Sequence, residues 1–93
     1  MTYSEIIDCI PYGHENAIQR RELVRRTGEK DRVVRDAIAC SEELVINMQD
    51  GRGYFKPLPE EADLVAIWMN LFRSRIREEE KRIQQAQEWR AAV

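Results

Sequence analysis

The sequence predicts a mainly α fold with one small β-hairpin: two short helices joined by a tight turn, then the hairpin, then a long C-terminal helix. Three stretches carry this expectation. Within residues 27–38, Gly28 is able to take the left-handed conformation that ends one helix, and the spacing of Val34, Ala37 and Ile38 opens another with a single apolar face. In residues 44–56, two runs rich in β-branched and aromatic side chains flank Asp50-Gly51, the strongest short hairpin signal. Across residues 60–92 no glycine or proline interrupts a helical pattern.

Residues 2–10 form the first predicted helix. Thr2 and Glu5 have capping-box spacing, and Tyr3, Ile6, Ile7 and Ile10 make an apolar stripe. Pro11 stops the helix, Tyr12-Gly13 turns the chain, residues 14–16 are polar loop, and Ala17-Ile18 is long enough only for a very short strand. Residues 20–27 form the second helix, with Leu23 and Val24 inward and Arg20, Arg21, Arg25 and Arg26 outward or sideways. Four arginines in seven residues make the densest cationic cluster of the chain. Such a cluster contacts phosphates where a helix crosses a DNA backbone; it also suits a solvated face partly paired through Glu22 and Arg26.

The third helix is expected over residues 31–43. Asp31 suits its start, because a carboxylate there accepts from free backbone N–H groups and faces the positive end of the helix dipole. Val34, Ala37, Ile38 and Ser41 fall on one side; Arg32, Arg35, Asp36 and Glu43 fall on the exposed side. Arg32 and Arg35 are the candidate groove-facing cations. The carboxylates beside them are repelled by phosphates but can accept from a cytosine amino group, and Arg32 can instead pair with Asp36 along the helix. Residues 44–48 and 54–56 then read as paired strands, with Tyr54 or Phe55 closing the core. A helix-turn-helix followed directly by a hairpin is a winged helix-turn-helix, and Arg52 at the hairpin tip stands where a wing touches phosphate or minor groove, or is equally a turn arginine facing solvent.

Pro57-Leu58-Pro59 is a rigid break between a domain over residues 1–56 and a helix over 57–93. At 1.5 Å per residue that helix would run roughly 50 Å, longer than so small a domain is wide. Leu64, Trp68 and Leu71 make a stripe suited to packing on the domain. Val65, Met69, Phe72, Ile76, Ile83 and Ala86 follow a heptad-like second stripe interrupted by Glu79. Residues 77–82 are a mixed charge run with pairs such as Glu78 and Arg82. Trp89, near the far end, calls for something to cover it. The expected cover is a second copy, giving a homodimer through Met69, Phe72, Ile76, Ile83 and Trp89, in parallel or antiparallel order.

A chain of 93 residues with net charge −2 makes one such domain with an appendage, so any cationic surface must be local. Cys9 and Cys40 lack metal-ligand spacing and are expected as buried reduced thiols. His14 is the one histidine; it is most simply a loop residue. With no Gly-rich phosphate loop, metal-ligand set or nucleophile–base arrangement, neither catalysis nor a cofactor or metal is expected. No signal peptide or long apolar run is present, so a cytoplasmic chain without membrane insertion is expected.

Thr27-Gly28, Asp31-Arg32, Val34-Arg35 and Ala37-Ile38, followed by a hairpin ending Gly53-Tyr54-Phe55, resemble small winged helix-turn-helix proteins of bacterial and prophage genomes, the biotin-repressor-like DNA-binding domain being the nearest general type. Residues 70–75, leading into a charged helix, are also similar to tails of prophage members. The resemblance covers residues 12–56 well and the tail loosely. It implies double-stranded DNA as partner, in a regulatory or phage-replication role, with Lys30, Arg32, Arg35 and Asp36 at the groove-facing positions. Lys30 departs from the small polar capping residue usual there. The combined expectation is a non-catalytic DNA-binding protein whose recognition helix lies over 31–43, with phosphates held by Arg20, Arg21, Arg25 and Arg52. A protein–protein interaction module on the same fold is the alternative, favoured by the near-neutral charge.

Overall fold

Helix α1 spans Tyr3–Asp8 and starts at the predicted capping box: Thr2 Oγ1 accepts from the Glu5 N–H while the Glu5 carboxylate accepts from the Thr2 N–H. This is seen in a computed structural model that describes residues 1–93. The helix ends at Asp8, two residues before the expected Ile10, in a last turn tightened by the Ile10 N–H donating to Ile7 O; Pro11 disfavours the α conformation at the residue before it. His14–Asn16 is a single 3-10 turn rather than open loop.

Helix α2 spans Arg20–Thr27, as predicted, and closes on Gly28 at φ +71°. Helix α3 spans Asp31–Ala39. It stops four residues short of the expected Glu43. Ser41 donates its hydroxyl to Glu43 O, a local bond that competes with helix, and Glu43 is drawn across to Lys56 and Tyr12. The helix starts at Asp31 as expected, but the Asp31 carboxylate does not cap it. Lys30 is the N-cap without a side-chain cap, and Asp31, the first helical residue, gives its carboxylate oxygens to Arg20 and Arg35. Cys40 is exposed and Cys9 half-buried, both free, where two buried thiols were expected.

Strands β1 (Ile46–Asn47) and β2 (Tyr54–Phe55) pair antiparallel, Ile46 opposite Phe55 and Asn47 opposite Tyr54. Both are shorter than the predicted runs. Two-residue strands do not stand alone, and this pair has outside support. Ile18 bridges Tyr54 on the other side of β2, each N–H donating to the other's carbonyl at 2.9 and 2.8 Å, while Tyr12 bridges Lys56. The single-residue bridge at Ile18 takes the place of the short strand suggested at 17–18.

Ile6, Ile7, Ile10, Ile18, Leu23, Val34 and Ala37 form one buried cluster where α1, α2 and α3 meet. Phe55 and Ile46, both fully buried, lie outside it beneath the hairpin, and the Phe55 ring meets His14 at a centroid distance of 5.1 Å. Helix α4 (Ala62–Ala92) follows a 3-10 turn at Pro59–Glu61. Glu61 fixes its entry: one carboxylate oxygen accepts from the Leu58 N–H and the other from the His14 N–H, each at 2.9 Å. Helix α4 faces the domain as far as Arg75: Trp68, Leu71, Phe72 and Arg75 line a recess with Val45, Asn47, Gln49 and Tyr54 of the hairpin region. Leu64, Val65 and Trp68 are half-buried; Leu71, expected in the packed stripe, is half exposed, and everything beyond Trp68 is exposed. No helix is long and apolar enough to cross a membrane.

Candidate nucleic-acid interface

The predicted cations lie on α2, the turn at 28–30, the start of α3 and the hairpin tip. Residues 19–36 hold seven Lys or Arg against four Asp or Glu, so this segment is cationic in a chain that is acidic in sum. The tip is held in place from two sides. Gln19, the N-cap of α2, donates its side-chain N–H to Gly51 O at 3.0 Å, and His14 Nε2 lies 2.6 Å from Asp50 Oδ2. Asp50 also accepts from the Arg52 backbone N–H, which sets the turn and leaves the Arg52 side chain outward.

Two carboxylates neutralise part of the patch. Asp31 takes Arg20 through Nε at 2.7 Å and Arg35 at 3.4 Å. Glu22 takes Arg25 through two bonds and Arg26 at 3.0 Å. The partner expected for Arg32, Asp36, does not pair with it; the pair that forms along α3 is Asp31 with Arg35. Nor does the expected Glu78–Arg82 pair form. Thus Arg20, Arg25 and Arg35, three of the seven predicted DNA-contacting residues, are held by acids, whereas Arg21, Lys30, Arg32 and Arg52 make no ion pair. Each carboxylate faces two guanidinium groups, so both triads keep a net positive charge.

The seven do not share one surface. Arg20 lines a shallow recess with Asn47, Gln49 and Gly51 of the hairpin, next to the Asp31–Arg35 pair. Arg21 lines a different recess, with Asn16, Glu22 and Arg26. The sequence reading missed Lys56. Its side chain is almost wholly buried, its Nζ 3.0 Å from Glu43 and 5.2 Å from the centre of the Tyr12 ring. It missed the Glu61 clamp as well. Neither has a signal in local spacing, because the partners lie 13 and 47 residues away in the chain. No cluster of three or more His, Cys, Asp or Glu side chains has metal-binding geometry.

Glu22, Glu43, Asp50 and Glu61 have lowered pKa values. Arg25 and then Arg26 hold Glu22 down from 4.5 to about 2. Lys56 and then Tyr12 lower Glu43, the Arg52 N–H and then His14 lower Asp50, and the Leu58 and His14 N–H groups lower Glu61. A carboxylate that binds its proton more weakly when folded stabilises the fold above its unfolded pKa and stops doing so as pH falls. The melting temperature is therefore expected to hold level near neutrality and to fall as pH drops from 4.5 towards about 2. A Glu22→Gln variant should show a shallower acid limb; an acid limb identical to the parent's would show that the Glu22 triad is not formed in solution.

Compared with protein-family models, with curated proteins and with solved structures, the chain finds no match.

Proposed function

We propose that the chain is a non-catalytic DNA-binding protein of winged helix-turn-helix type, with α3 entering the major groove and the hairpin tip reaching the adjoining backbone. The supporting observation is the set of uncommitted cations Lys30, Arg32 and Arg52 around the two-guanidinium triad on Asp31. Arg32 approaches base edges; Lys30 and Arg52 hold phosphates. Arg20 and Arg35 contribute once a phosphate competes with Asp31, an exchange favoured because half-exposed pairs are worth only about 0–1 kcal/mol. Arg21 stands on the flank and contributes least. The resemblance to bacterial and prophage winged helices adds a regulatory or replicative role.

Fluorescence anisotropy on random duplex DNA at low salt tests this. Binding should weaken steeply with salt. Arg32→Glu with Arg52→Glu is expected to reduce affinity by about 100-fold, at roughly 1–3 kcal/mol per lost contact, while Arg21→Glu has a much smaller effect. Asp31→Ala, which frees two guanidinium groups, is expected to tighten binding and steepen the salt dependence. Absence of binding at low salt, or equal loss from Arg21→Glu and Arg32→Glu, would overturn the assignment. The second reading, a protein-binding module, is favoured by the neutralised arginines and the acidic sum of the chain, and it predicts that absence.

A further inference from the structure

We infer that α4 pairs antiparallel with α4 of a second copy of the chain, about a two-fold axis passing between Arg77 and Glu78. Beyond the domain Ile76 is 45% exposed, Ile83 58% and Trp89 69%, and Phe72, although it stacks on Trp68, is still 46% exposed. Together with Met69 and Ala86, and with Glu79 holding one place, Phe72, Ile76 and Ile83 fall at alternating spacings of three and four, the pattern of a helix–helix seam, so the surface fits another helix rather than a small ligand.

Charge selects the partner and its direction. Arg73, Arg75 and Arg77 form a cationic block, and Glu78, Glu79 and Glu80 an anionic block directly after it. In a parallel, in-register pair Glu79, which falls in the seam, would meet Glu79 of the partner subunit, two like charges taken out of water. Antiparallel pairing about the sign change removes that meeting and sets Arg73 beside Glu80 of the partner subunit along one flank of the seam, twice by symmetry, while Arg75 comes beside Arg82 of the partner subunit on the other flank. The apolar residues select the same register independently. Rotation about the point between residues 77 and 78 places Phe72 opposite Ile83, Met69 opposite Ala86 and Glu79 opposite Ile76. It also carries Trp89 to the partner's Trp68–Phe72 stack, whose rings lie 5.2 Å apart in one chain. Residues 65–90 overlap over about 39 Å at 1.5 Å per residue. The pairing is independent of whether α3 binds DNA.

Light scattering on the full chain at submillimolar concentration should give twice the 11.0 kDa of one copy. Ile83→Asp, which lies off the domain and leaves its fold intact, should weaken association about tenfold or more. In a background with Cys9 and Cys40 replaced by alanine, a mixture of Met69→Cys and Ala86→Cys chains should form a mixed disulfide on oxidation. Ala86→Cys alone should not cross-link, because the two copies of residue 86 would stand roughly 26 Å apart. A single-copy mass, a dimer untouched by Ile83→Asp, or efficient self-cross-linking of Ala86→Cys would each overturn the inference.

Discussion

Replacing Gly53 with alanine is expected to unfold most of the protein. A Cβ at that position would lie 2.2 Å from Ile18 O and 2.8 Å from the Gln19 nitrogen, and both are backbone atoms that a rotamer change does not move. The φ of +105° adds strain for any L side chain. Relief requires breaking the Ile18–Tyr54 bridge, and with it the support of β2. A cost on the order of 4 kcal/mol is a large share of the stability of a domain of this size and corresponds to a fall in Tm of about 15 °C or more. Gly51 provides the comparison. Its φ is +85°, yet nothing lies within 4 Å of its added Cβ, so Gly51→Ala should carry the dihedral cost alone, about 1 kcal/mol. Thermal melts of the two variants measure the difference. Equal melts would mean that β2 does not approach residue 18 as closely as described.

Phe55→Ala should be nearly as damaging. Phe55 is fully buried, pairs across the hairpin with Ile46 and packs on the His14 ring. Truncating a buried aromatic removes transfer energy and leaves a cavity, together about 3–5 kcal/mol. His14 also touches Asp50, so the cavity should loosen the hairpin tip as well as the core. Phe55→Leu, which keeps most of the volume, should cost less than half as much. Urea unfolding monitored by circular dichroism separates the two. A loss below about 1 kcal/mol for Phe55→Ala would show that this side chain is not packed as described.

The parts legible in the sequence are those fixed by neighbours three or four residues apart. The Thr2–Glu5 box, the Gly28 stop and the Glu22–Arg26 pair belong to this group, as does the run of α4 from the break at residues 57–59. The features that escaped depend on residues brought together from a distance. Helix α3 ends early because Glu43 is wanted by Lys56 and Tyr12, and nothing near residue 43 announces either partner. The candidate interface divides in the same way. Its residue types and their concentration in 19–36 were readable. Which arginines stay free was not, since Asp31 reaches Arg20 across the turn, eleven residues back, as well as Arg35 one helical turn ahead.

The bridge between residue 18 and β2 also has a consequence for the order in which the chain acquires structure. The contacts among α1, α2 and α3 lie within the first forty residues and close short loops, so they form early. The sheet cannot close until residues 53–56 return to residues 11–18, a loop of some forty residues whose entropy must be overcome first. A nascent chain leaving the ribosome can therefore gather its helical cluster while β2 is still unsynthesised. It leaves the Ile18 backbone groups unpaired until the hairpin emerges and docks.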